Sequence, residues 1–97
     1  MSTSAQLKEA LQLGALSVAE LCVWLDCPRP TVTTWLRGAE PRPLNREKVL
    51  RRLVLLHEAI SKTPYPFIPE ELTLTKRRVF LLKKKSEFVR NNRNDIG

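Results

Sequence analysis

Glycine is scarce in this chain, with three residues in 97, and they are too scattered for the glycine-rich turn that cradles a nucleotide phosphate. Cysteine is scarcer. Cys22 and Cys27 stand five positions apart, and the one histidine, His57, is remote from both. That spacing matches no zinc-ligand pattern, and a disulfide between the pair would distort the helix end on which they fall. Both read as reduced packing residues, so no metal and no cofactor is expected. Carboxylates do not pair into a site, and neither a Ser/His/Asp nor a Cys/His arrangement is present. His57 then reads as a helix-surface or packing residue, and the chain is expected to be neither an enzyme nor the receptor of a small-molecule substrate.

Long apolar runs are missing as well. No stretch approaches the ~20 apolar residues needed to span a bilayer, and the opening MSTSAQLKEA lacks the basic and apolar regions of a signal peptide. A cytoplasmic protein with no membrane partner is expected. What is present is an apolar share of 42% over 97 residues, enough for one small domain with an appendage. The formal charge is +7 and the pI near 10.0. Its distribution is uneven: residues 1–27 hold Lys8 against Glu9, Glu20 and Asp26, net −2, which leaves +9 for residues 28–97. A solvated basic surface would account for the total, but positive charge that begins at a helical motif points to a polyanion.

That motif is Ser17 to Gly38, SVAELCVWLDCPRPTVTTWLRG. Ser17 and Glu20 have capping-box spacing, so a helix starts there. Val18, Leu21, Cys22 and Leu25 fall at i, i+3, i+4 and i+7 and form its buried stripe. Pro28 and Pro30 push the preceding residues out of helical geometry yet cost no hydrogen bond in a first turn, so one helix ends near Asp26 and another begins near Arg29. The second carries Val32, Trp35 and Leu36 on one side and Arg29, Thr33, Thr34 and Arg37 on the other, and Gly38 supplies a left-handed stop. Arginine is bidentate to guanine and threonine offers a hydroxyl and a methyl, so this polar face suits a DNA major groove about 12 Å wide.

The stretch resembles, without a gap, the helix-turn-helix of the phage Cro and repressor family and its Xre-like relatives. The resemblance rests on Ser17, Glu20, Leu21, Cys22, Leu25, Thr31, Val32, Trp35, Arg37 and Gly38, within 22 of the 97 residues. Two departures stand out: Asp26 occupies the place of the usual turn glycine, and Pro28 and Pro30 replace polar residues. Aspartate tolerates left-handed geometry, so the turn survives, whereas Pro30 removes a side chain that family members use on bases. Base reading is therefore expected from Arg29, Thr33 and Thr34, and phosphate binding from Thr31, Arg37, Arg42 and Arg46. The fold implied is all-α: a four-to-five-helix repressor-type domain over residues 1–62, followed by a proline-rich strap and a basic amphipathic segment over 63–97.

The flanking segments read as support. Thr3 and Gln6 have capping-box spacing, and Leu7, Ala10 and Leu11 form a stripe ending at Gly14, so a helix covers the motif from behind. Val23 and Trp24 lie off the buried stripe of the motif's first helix; they are either buried against the first helix of the chain or the C-terminal segment, or part of a protein interface. Ala39 to Leu44 reads as an extended loop. Asn45 is the expected cap of a helix to about Lys62, with a stripe of Val49, Leu53, Leu56 and Ile60 widened by Leu50, Val54 and Ala59. Its first half holds Arg46, Lys48, Arg51 and Arg52, unfavourable at a helix N-terminus unless anions lie near, with Glu47 a partial offset.

Thr63 to Pro69 has three prolines in seven residues and reads as an extended strap packed by Tyr65, Phe67 and Ile68. Beyond it, Val79, Leu82, Ser86 and Val89 follow heptad-like spacing between the clusters Lys76-Arg77-Arg78 and Lys83-Lys84-Lys85, which favours a basic amphipathic helix over a strand. Val79, Leu82 and Val89, with Trp24, are the candidate protein-interface residues. Asn91 to Gly97 reads as a frayed tail.

Together these features predict a sequence-specific transcriptional regulator of phage type that binds double-stranded DNA, as a dimer on a two-fold site. Two alternatives use the same motif: a phage packaging component resembling a small terminase subunit, and an adaptor or inhibitor that binds protein. Trp35 is placed as a core residue in all of them. Trp35→Ala is expected to lose roughly 3–5 kcal/mol of stability, as for an emptied aromatic site; a melting curve like that of the wild type would contradict this placement.

Overall fold

The computed structural model describes residues 2–96, with side chains over 2–89, and these residues form five helices and no strand. They are α1 (Thr3–Gly14), α2 (Val18–Leu25), α3 (Arg29–Leu36), α4 (Pro43–Lys62) and α5 (Leu74–Ile96). The all-α expectation holds. The segment expected to be helix or strand is α5, which runs through the stretch read as a tail as far as Ile96; Gly97 lies outside the described residues.

Local chemistry sets most helix ends. The α2 capping box is complete: Ser17 Oγ accepts the Glu20 N–H at 3.2 Å, and Glu20 Oε1 accepts the Ser17 N–H at 2.9 Å. Asp26 then closes α2 at φ 55°, as its place in the motif required. Two expected caps are displaced. Ser2, not Thr3, caps α1, its hydroxyl accepting the Ala5 N–H. Helix α4 begins at Pro43 behind Arg42 rather than behind Asn45, because proline in a first turn gives up no hydrogen bond and the helix can extend past the polar residue.

Helix α1 packs on α3 and α4, α2 on α3, α4 and α5, and α5 on α2 and α4. Leu7, Ala10, Leu21, Leu25, Val32, Val49, Leu56, Ala59 and Leu81 are wholly buried in one shared core. Phe67 and Ile68 of the strap join it, whereas Tyr65 is 86% exposed. On α4 the buried edge runs through Leu55 and not Val54, which faces solvent. Gly14 is buried where a Cβ would come within 3.0 Å of Leu16 Cγ and 3.2 Å of Ile60 Cδ1, so a side chain there would have to displace both.

Trp24 is corrected as an interface residue. Its ring is 1% exposed, stands edge-on to Phe67 with centroids 6.4 Å apart, and its indole N–H donates to the Arg52 carbonyl at 2.9 Å. A buried indole needs both an apolar bed and an acceptor, and here the strap and α4 supply them.

Helix α5 also turns differently from its apolar spacing. Val79 and Leu82 are about half exposed, Ser86 is exposed, and Val89 packs partly on the core. The seam toward α2 and α4 instead carries Arg77, Leu81, Lys85 and Phe88, at i, i+4, i+8 and i+11. Two cations sit on it because α2 offers them acceptors. Arg77 Nε and Nη2 donate to Glu20 Oε2 and Oε1 at 2.6 and 3.0 Å, and Nη2 also reaches the Ala15 carbonyl at 3.1 Å.

The Glu20 carboxyl is held below its ordinary value of 4.5, chiefly by the Arg77 hydrogen bonds, with burial opposing and Ser17 helping. A carboxyl depressed by folding contributes stability above its unfolded value and loses it as pH falls through the folded one. Arg77→Ala is expected to cost about 3 kcal/mol near pH 7, the lower end for breaking a buried pair. In urea titrations the gap from the wild type should stay full near neutral pH and shrink as pH falls below the ordinary carboxylate range, where Glu20 takes up its proton. A gap independent of pH would contradict the pairing as the source of the loss.

Candidate nucleic-acid interface

The buried side of α3 is set by Val32 and Trp35, with Leu36 half-buried beside them. At about 100° per residue, the line opposite runs through Pro30, Thr34 and Arg37, all exposed. Thr31 and Thr33 are half-buried on its two flanks, and Arg29 is exposed at the first helical position. The expected readers Arg29, Thr33 and Thr34 thus share the accessible side, but Thr33 lies at its edge and Pro30 near its centre. Thr34 Oγ1 donates to the Pro30 carbonyl at 2.9 Å, so its proton is used within the helix and its lone pairs stay free to accept.

Arg37, Arg42 and Arg46 are exposed and follow one another from the end of α3, through the loop, into the first turn of α4. The ion pairs of the described residues join Arg51 to Glu47, Lys62 to Glu58 and Arg77 to Glu20. None of them engages Arg29 or Arg37, at the two ends of α3, nor Arg42 and Arg46, which follow in the loop and the first turn of α4, so these four exposed guanidiniums are uncompensated at ion-pair distance. An exposed helix face so accompanied can accept a polyanion.

What holds α3 in place comes partly from the first turn of α1. Ser4 Oγ donates to the Leu36 carbonyl at 2.9 Å, and Thr3 Oγ1 donates to Glu40 Oε2 at 2.9 Å. The first turn of α1 therefore clamps the last turn of α3 and the loop behind it, through hydroxyls that are themselves buried. Nothing in the spacing of Thr3 or Ser4 points at partners more than thirty residues away; by spacing Thr3 is a local cap and Ser4 carries no signal. Lys48 and Lys85 were likewise read within basic runs, yet both bond carbonyls at the end of α2.

Val79 and Leu82 lie on α5, which packs on α2 and α4, whereas α3 packs on α1 and α2. The candidate interface residues and the candidate readers are thus on different elements. Among the described residues no three His, Cys, Asp or Glu side chains gather as a metal site, and no helix is long and apolar enough to cross a membrane. Cys22 and Cys27 are free thiols, and burial raises the Cys22 pKa above its ordinary value of 9.0.

Comparison with protein families, with curated proteins and with solved structures returns no match.

Gly38 governs how the chain leaves α3 toward Arg42 and Arg46. Its φ is 114°, and an added Cβ would meet nothing within 4 Å, so the constraint is the backbone and not space. Gly38→Ala is expected to cost about 1–2 kcal/mol from strain at positive φ, read as a lower denaturation midpoint. An unchanged midpoint would show that the loop relaxes freely.

Proposed function

We propose that the protein is a sequence-specific DNA-binding regulator that lays α3 in the major groove. The observation that carries this reading is the outward side of α3: exposed, with Thr34 and Arg37 beside Pro30, and accompanied at its ends and in the loop and turn that follow by four arginines that are in no ion pair among the described residues. Arg29, at the leading end, is the candidate for bidentate contact with guanine, while Thr33 and Thr34 offer acceptor oxygens and methyl groups to base edges. Thr31, Arg37, Arg42 and Arg46 flank them and take the phosphates, which positions the helix without reading sequence. The family resemblance of residues 17–38 supports the same reading.

One helix of eight residues reads only a few base pairs, so a two-fold site bound by a dimer supplies the affinity and discrimination a regulator needs. The half-exposed Val79 and Leu82 on α5 are the candidate seam. Such a regulator would work in the cytoplasm, blocking or recruiting polymerase. The same outward apolar residues also favour a second reading, an oligomeric phage packaging component. Mass in solution separates the two: a dimer supports the regulator, and a ring of many copies supports packaging.

Selection of bound fragments from a random duplex pool identifies the site. On it, Arg29→Ala or Thr34→Ala is expected to reduce discrimination by about 1–3 kcal/mol per lost base contact. Arg42→Ala should weaken all DNA alike and lower the salt slope by about one. Equal losses on selected and random DNA for Arg29→Ala and Thr34→Ala would overturn their assignment as readers.

A further inference from the structure

The C-terminal end of α2 carries more positive charge than its own carbonyls account for. Lys85 of α5 places Nζ 3.2 Å from the Val23 carbonyl oxygen, and Lys48 of α4 places Nζ 3.3 Å from that of Asp26. Two lysines on a last turn are ordinary, since about half a negative charge resides there. The third cation is not. Arg52, one turn beyond Lys48 on the same side of α4, leaves its Nη1 enclosed with no hydrogen-bond partner. The Lys85 ammonium is pushed below its ordinary value of 10.5, first by burial and then by the charges of Arg52 and Lys48, with Asp26 opposing.

Asp26 is exposed and forms no ion pair with any of the three among the described residues. Three cations thus face one carboxylate and a partial charge, at a cost that a bound anion would remove. Each lysine spends one N–H on a carbonyl and keeps two. The turn they surround, Asp26 to Pro28, is the one from which α3 departs. Glu47 and Glu58, the carboxylates of α4, are already paired with Arg51 and Lys62.

We propose that Lys48, Arg52 and Lys85, at the end of α2 beside the Asp26–Pro28 turn, form a binding site for a tetrahedral oxyanion of the phosphate class. The group can come from free phosphate or from a nucleic-acid backbone lying against the turn, and it would be held by ammonium and guanidinium donors converging from α4 and α5. Its residues differ from the phosphate candidates: Arg37 closes the other end of α3, and Arg42 and Arg46 lie before and within the first turn of α4, N-terminal to Lys48 and Arg52.

Titrating the full chain with inorganic phosphate against chloride at equal ionic strength, with amide chemical shifts as the readout, tests it directly. Saturable shifts are expected at Val23, Asp26, Cys27 and Lys48, with affinity about tenfold or more weaker in Lys48→Gln/Arg52→Gln, as for loss of charge-assisted hydrogen bonds. If the double variant does not fold, Lys48→Gln alone serves. Shifts that fail to saturate, or that are unchanged in the variant, would overturn the site. A second arm uses random duplex DNA. A salt slope reduced by about one in the variant identifies the backbone as the source, whereas an unchanged slope with the phosphate response intact identifies free phosphate. Absence of duplex binding by the wild type would remove the regulator reading while the phosphate titration still judged the site.

Discussion

Glu20 is asked to do two things at once. One carboxylate oxygen closes the start of α2 by accepting the Ser17 N–H, and both oxygens accept from Arg77, fifty-seven positions later. The group is 3% exposed, and a charge taken that far from water is tolerable only when it is paired and its lone pairs are occupied. Arg77 meets the condition and, through the Ala15 carbonyl, ties the α1–α2 junction to the first turn of α5. The pose of the last helix depends on this contact. With Arg77 anchored at one end and Lys85 reaching α2 two turns further on, α5 lies along α2 and α4, away from the outward side of α3.

Among the described basic residues, two groups with different roles are concealed by the total charge of +7. Arg77 and Lys85 are structural, satisfied by carboxylate and carbonyl oxygens on a half-buried seam. Arg29, Arg37, Arg42 and Arg46 are solvent-facing, at the two ends of α3 and in the loop and first turn that follow it. Lys48 and Arg52 fall between, drawn in by the end of α2 yet left in excess there. A long cation serves either role because its stem packs on apolar surface while its head seeks whatever acceptor is near.

Rigidity at α3 comes from behind it. The hydroxyls of Thr3 and Ser4 hold Glu40 and the Leu36 carbonyl, and Val32 and Trp35 fill the core beneath. A helix of two turns is marginal by itself, so the placement of its outer side chains is a property of the packing. Preorganisation of this kind lowers the ordering cost of whatever the outer side meets.

Patterns that act within a few residues were legible in the sequence. The Ser17–Glu20 box, the turn at Asp26, the stop at Gly38 and the buried stripe of Leu21, Cys22 and Leu25 all stand where spacing placed them, because hydrogen-bond rings and helical period are local. The all-helical class followed from the same periodicity. The seam of α5 and the start of α4 did not, and for Trp24 the spacing left burial and an interface both open. Trp24 is off the main stripe and becomes buried only because Phe67 and the Arg52 carbonyl arrive from elsewhere. The α5 seam is marked by Arg77 and Lys85, and apolar spacing cannot reveal a face whose key members are charged. Its apolar residues Val79 and Leu82 pointed to the opposite side. Local chemistry decided which segments are helices, where most of them stop and the apolar stripes of α1 to α4, whereas only the tertiary structure decided which side of α5 is inside, since Arg77 and Lys85 can lie on a half-buried seam only where distant acceptors meet them.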